Sequence, residues 1–172
     1  MSNFPKNSPH MVARISVGKN LYGALAYNQN KVDEGGAKVL SAHLLRYPED
    51  GRFRPDESVR QFLEWMPNHY RTEKPVIHIS LNPHPDDVLT DGQLAEIGRE
   101  YMQRLGYGNQ PYLVFKHEDI GRHHIHIVSL RVDSEGRKVS DKFEYRRSKE
   151  ITELLEQKYG LHPAEGRKKG EE

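Results

Sequence analysis

His117-Glu118-Asp119-Ile120-Gly121-Arg122-His123-His124-Ile125-His126, running on as Ile127-Val128-Ser129-Leu130-Arg131-Val132, is the stretch on which the reading of this chain turns. From His124 onward the text alternates and is rich in β-branched residues, the pattern of a strand. Residues two apart on a strand point to the same face, so His124 and His126 project together. Pro111-Tyr112-Leu113-Val114-Phe115-Lys116-His117 reads as a second strand, joined to the first by a short loop containing Gly121. Pairing the two as an antiparallel hairpin with His117 opposite His124 puts all three rings on one face, with directly opposed Cβ atoms roughly 5 Å apart. Three imidazoles on a rigid sheet form a facial metal site with positions left open for a substrate oxygen. The parity of His123 places it on the opposite face. His10, His43, His69, His84 and His162 stand singly and read as ordinary core or surface residues. A His-x-His pair on an apolar strand is different, because burying two imidazoles without partners is costly.

The rest of the chain bounds the setting. Its 172 residues suit one domain with a sizeable single core. There is no cysteine, which excludes disulfides and thiolate zinc sites and fits a reducing cytoplasm. No apolar run is long enough to span a bilayer, and no signal peptide is visible. The net charge of +1 says little, since a local patch matters more than the sum. Basic residues are in fact uneven: Arg137, Lys138, Lys142, Arg146, Arg147 and Lys149 crowd a segment whose only acids are Asp141 and Glu144. Residues 1–10 lack periodicity, and the His10-Met11 junction reads as the scar of an expression tag, with Met11 as the natural start. Residues 163–172 read as a polar tail, leaving 11–162 as the folded domain.

Coarse patterning predicts a strand at 12–17, a helix at 21–31 with Leu21 and Leu25 on one stripe, and a strand at 37–45. Asp56 is the expected cap of a helix carrying Val59, Phe62, Leu63 and Met66 on one face. A strand at 76–81 follows, then a helix to Leu105 opened by a Thr90/Gln93 capping box and stopped by Gly106. After the histidine hairpin, Ser148 is the expected cap of a last helix with Ile151, Leu154 and Leu155 inward. Strands and helices mix without strict alternation, which predicts an α+β fold: a central antiparallel β-sheet with helices packed on it.

An imidazole-bound divalent ion is a Lewis acid that polarises a phosphoryl or carbonyl oxygen. Three neutral ligands leave its +2 charge intact, which favours an anionic substrate such as a phosphodiester. Asp119 has three readings: partner fixing a histidine tautomer, proton acceptor for a nucleophile, or turn residue bonded to its own backbone. With no cysteine and no Gly-x-Ser-x-Gly turn, tyrosine is the available protein nucleophile, and Tyr22 and Tyr27 both lie on the first helix. A phenol with pKa near 10 needs a metal or base beside it to react.

This constellation resembles the HUH endonuclease superfamily, in particular the conjugative relaxases, or mobilization nucleases. The metal motif of that family has a histidine, an aspartate two later and then a His-hydrophobe-His pair, as His117, Asp119, His124 and His126 stand here. Gly23-Ala24-Leu25-Ala26-Tyr27-Asn28 resembles the family's first motif, Val76 to Pro83 its second conserved strand, and Lys142 to Leu161 its closing helix. The resemblance implies Tyr27 as nucleophile, with Tyr22 as rival, and His117, His124 and His126 as ligands of Mn, Mg, Ni or Zn. It implies that Asp119 orients a ligand or accepts a proton. His78 matches a family histidine, with sheet packing as its other reading. Leu130 departs from the pattern, since an asparagine is common there. The implied activity is site- and strand-specific nicking and joining of single-stranded DNA at a transfer origin through a 5′-phosphotyrosine link. It would take place in the bacterial cytoplasm, with accessory mobilization proteins and secretion machinery as further partners. A cationic groove with stacking aromatics would hold the strand; Lys142, Phe143, Tyr145, Arg146 and Arg147 are the candidates. The alternatives are a replication initiator of the same superfamily, a non-catalytic hairpin-binding module, and a phosphodiesterase that uses water.

Overall fold

The computed structural model describes residues 11–118 and 123–162. Its elements run β1 (Val12–Gly18), α1 (Leu21–Asp33), β2 (Ala37–His43), α2 (Pro55–Trp65), β3 (Val76–Asn82), α3 (Asp91–Met102), β4 (Tyr112–His117), β5 (His124–Leu130) and α4 (Glu144–Lys158). The five strands form one sheet in the order β1-β3-β5-β4-β2, and every neighbouring pair is antiparallel. The α+β reading therefore holds. The strand bearing the His-x-His pair lies at the centre of the sheet, bonded on both sides, where register is most tightly specified.

Strand parity sorts the apolar residues into two cores rather than the single one expected from length. Val76, Leu113, Phe115, Val128 and Leu130 face Leu21 and Leu25 of α1 and Phe62 of α2. The alternate positions Ile77, Ile79, Leu81, Val114, Ile125 and Ile127 face Leu94, Ile97 and Tyr101 of α3 and Ile151 and Leu155 of α4. Helices thus cover both sides of the sheet, and the α1/α2 side is the one that carries the histidines. On the other side Gly98 lets α3 press close to the sheet: a Cβ there would stand 3.1 Å from Ile125 Cδ1 and 3.6 Å from Val114 Cγ1.

Helix starts follow local chemistry, with two departures from expectation. Asn20 caps α1 by accepting from the Gly23 amide at 2.8 Å, and Thr90 and Gln93 form the anticipated capping box on α3. At α2, however, Pro55 opens the helix and Asp56 lies inside its first turn, where its charge suits the helix dipole. At α4 the start is Glu144, four residues before Ser148. Phe143 enters it in the left-handed region at φ 54°, and Arg147 secures the turn by donating to the carbonyls of Leu105, Ser140 and Lys142. Ser148 is buried mid-helix, sharing a 2.8 Å hydrogen bond with the Tyr101 hydroxyl, so its polarity serves packing instead of a cap. Leu154, expected inward, is exposed, while Ile151 and Leu155 are buried. Past Met102 the α3 chain continues as a π-helical turn, Gln103–Tyr107, broken by Gly106 at φ 109°.

An ion network ties α3 to the loop end of the β4–β5 hairpin. Lys116, buried, donates to Asp91 at 2.7 Å and lies 3.0 Å from Glu118; Lys38 also pairs with Asp91, and His123 stands 3.3 Å from Glu118. Hydrogen bonds from Lys116 and then Lys38 hold the Asp91 carboxyl down at about 2. A carboxyl depressed in the folded state adds stability above its unfolded value, and that stability disappears as pH falls through the folded one. The urea midpoint should therefore drop as pH is lowered from about 5 towards 2. Asp91→Asn should flatten that part of the profile; a profile the same as the parent's would show that the network does not stabilise the fold.

Candidate metal centre and active site

In the β4–β5 register His117 pairs directly with His124, and Phe115 with His126. This is the register supposed from the sequence for an antiparallel hairpin, and it places the three rings together. Ring centroids are 3.9 Å apart for His117 and His126, 5.0 Å for His124 and His126, and 5.4 Å for His117 and His124. One donor nitrogen from each lies within 4.8 Å of the others. His117 and His124 are buried and His126 is half-buried. Burial first, then the neighbouring imidazoles of His117, His78 and His124, bring the His126 pKa down to about 2. It therefore keeps a lone pair at neutral pH, as a metal ligand must. A crowded set of inward imidazoles is a poor stabiliser of the empty fold and a good receptor for a divalent cation.

Three more side chains complete the site. His78, on β3, stacks on His126 with centroids 4.9 Å apart, and its Nε2 lies 3.0 Å from His126 Nδ1. Burial lowers its pKa as well. Its contact is thus with a member of the triad and goes beyond sheet packing. Tyr27 of α1 presents its ring 6.2 Å from that of His117 at an interplanar angle of 22°, with 50% of its surface open to solvent. Lys31, one helical turn on, holds its ammonium 5.8 Å from the Tyr27 ring centroid. Tyr22 precedes Tyr27 by five positions, which is about 140° around a helix of 3.6 residues per turn, so it points elsewhere. The third is Asn28, fully buried, whose Oδ1 lies 2.7 Å from His117 Nε2. Sequence reading passed it over, although it extends the Leu21/Leu25 stripe at i+7, where a polar residue must find a partner.

Asp119 lies outside the described residues. The remaining candidates are not gathered at the triad. Phe143, Tyr145, Arg146 and Arg147 sit at the start of α4, which packs on the opposite side of the sheet. There Arg146 lies 4.7 Å and Lys142 5.6 Å from the Phe143 ring, Tyr145 is 88% exposed, and Arg147 is engaged with the three carbonyls already named. On the histidine side, register instead lines up Arg14, Ser80, His126 and Phe115 across four strands. Arg14 is exposed there. The alternation of β1, polar at Arg14 and Ser16, was the signal for it. A second group, His84, Asp86 and His162, also brings donors within 4.8 Å of each other. The His84 and His162 rings are stacked at 4.1 Å and 12°, so lone pairs lying in those ring planes run parallel and do not converge on an ion.

A family model described as "Relaxase: MobA/VirD2-like, nuclease domain" matches residues 27–161. The chain belongs to this relaxase family. The matched part of the relaxase begins at Tyr27 and takes in His78 and all three histidines of the triad. No curated protein matches the chain. Membership makes it a nuclease domain of the DNA-nicking kind, from a metal-dependent family that acts on single-stranded DNA. The relaxase triad can hold the ion such chemistry needs. Among the described residues no helix is long and apolar enough to cross a membrane.

Proposed function

We propose that this relaxase nicks and rejoins one strand of DNA at a transfer origin by transesterification on Tyr27, in the cytoplasm of a bacterium mobilizing a plasmid or similar element. The observation carrying this reading is the Tyr27 ring set against His117, on the face where the triad converges. His117, His124 and His126 would hold a divalent cation, which supplies Lewis-acid stabilisation of charge on the scissile phosphate. Tyr27 Oη attacks phosphorus, forming a 5′-phosphotyrosine, while the bond to the 3′-oxygen breaks and that oxygen leaves as a hydroxyl. The phenolic proton passes to a base, the role proposed for Asp119, and from the base to the leaving 3′-oxygen, which completes the hydroxyl. One phosphodiester is exchanged for another, so the same steps in reverse rejoin the strand without external energy. Lys31, near the Tyr27 ring, and exposed Arg14, in the row of His126, are placed to attract the phosphate backbone. The aromatic and cationic cluster at the start of α4 would meet the strand only beyond the sheet edge.

The test is incubation with a single-stranded origin oligonucleotide and Mn²⁺, followed by denaturing electrophoresis and peptide mass spectrometry. A nucleotide-modified Tyr27 peptide is expected. Free 5′-phosphate ends with no adduct would replace this reading with hydrolysis by water, and tight hairpin binding without cleavage would replace it with a recognition module.

A further inference from the structure

Asn28 has a fixed amide. Its Nδ2 donates to the Ala24 carbonyl at 2.8 Å, and a carbonyl can only accept, so the two ends of the amide are distinguished by their partners. Oδ1 must then be the end facing His117, 2.7 Å from Nε2. An amide oxygen has no proton to give, so Nε2 carries the hydrogen of this contact. A neutral imidazole has one N–H, which leaves the in-plane lone pair of His117 on Nδ1.

We infer that Asn28 is a positioning residue: it sets the tautomer of His117 and thereby the strength with which the site takes up a divalent cation. The inference rests on the metal-dependent relaxase reading and adds to it a link between two elements. Asn28 directly follows Tyr27 on α1, while His117 ends β4. One hydrogen bond thus fastens the helix bearing the proposed nucleophile to the strand bearing a ligand, with a sequence separation of 89 residues. His126 has a corresponding neighbour in His78, which meets its Nδ1. The two ligands are therefore braced through different ring nitrogens, His117 through Nε2 and His126 through Nδ1. Partners of this kind orient a ligating histidine, and losing one typically weakens metal affinity about 10–100-fold.

Two substitutions separate acceptor from packing. Asn28→Ser retains a hydroxyl able to bond back to the Ala24 carbonyl but no longer reaches His117. Asn28→Asp retains an oxygen facing His117 and gives up the donor to Ala24. Calorimetric titration of the full chain with Mn²⁺, without DNA, should show Asn28→Ser binding about 10–100-fold more weakly than the parent. Asn28→Asp should bind at least as tightly as the parent. Equal affinity for Asn28→Ser and parent, or an equal loss in both variants, would overturn the inference. Long-range ¹H–¹⁵N spectra of the metal-free parent supply a second readout that needs no variant. Protonation of His117 at Nε2 is expected, and protonation at Nδ1 would overturn the assignment. Neither measurement involves strand cleavage, so a failure to find the Tyr27 adduct would refute the nicking mechanism while leaving both results in force.

Discussion

Changing His124 and His126 together to alanine should remove strand cleavage while leaving single-stranded DNA bound. Both rings project from the central strand of the sheet, and each meets His117 within 5.4 Å. Without them only one of the three clustered donors remains, and one imidazole does not hold a divalent ion against water. Deleting a single fixed group that stabilises developing charge costs on the order of 10²–10³ in rate. Loss of the whole ion should cost more, taking nicking of an origin oligonucleotide below detection. The same loss should appear in the parent protein treated with a strong chelator and be reversed by adding Mn²⁺. The alternation of β5 buries Ile125 and Ile127 on the other side, so the double variant keeps that core and its DNA affinity should change little. Chelator-resistant cleavage, or nicking by the double variant at the parental rate, would contradict the metal centre.

Tyr27→Phe is the second. The ring and its stacking on His117 survive this change, so it removes the hydroxyl and little else. If Tyr27 is the nucleophile, the covalent adduct disappears and nicking falls by on the order of 10⁶-fold, the scale set by deletion of a covalent nucleophile. Tyr22→Phe should nick and rejoin like the parent, because its side chain is turned away from the triad. The pair of variants is best read by adduct formation and by strand rejoining, since hydrolysis by water would restore nicking without restoring the join. Adduct formation that persists in Tyr27→Phe and vanishes in Tyr22→Phe would move the nucleophile.

Much of this site was legible in the residues alone. The His-x-His alternation gave the shared face of His124 and His126, because strand pairing has a period of two; the opposition of His117 and His124 was the register supposed for the hairpin, and β4 and β5 pair in it. Helices were harder to bound. Asp56 and Ser148 look like caps, yet a proline and a left-handed Phe143 set those two starts, and the Ser148 hydroxyl is taken by Tyr101, 47 residues away. Contacts of that separation leave no trace in local patterning. Asn28, a polar residue on the Leu21/Leu25 stripe, called for a partner, but which element would supply it was not written nearby, and the same holds for the surroundings of the charged residues near α4. Their crowding in the sequence was plain, but which side of the sheet they would occupy depended on how α4 packs.

The close seat of α3 on the sheet bears on the histidines as well. A Cβ at position 98 would meet, from behind the sheet, the side chain of Ile125, the residue flanked by His124 and His126. Adding a methyl group at 98 would press on the Cδ1 end of the Ile125 side chain, which must give by a few tenths of an ångström. The wall behind both imidazoles is thus filled to within one methyl group, at the residue that separates them.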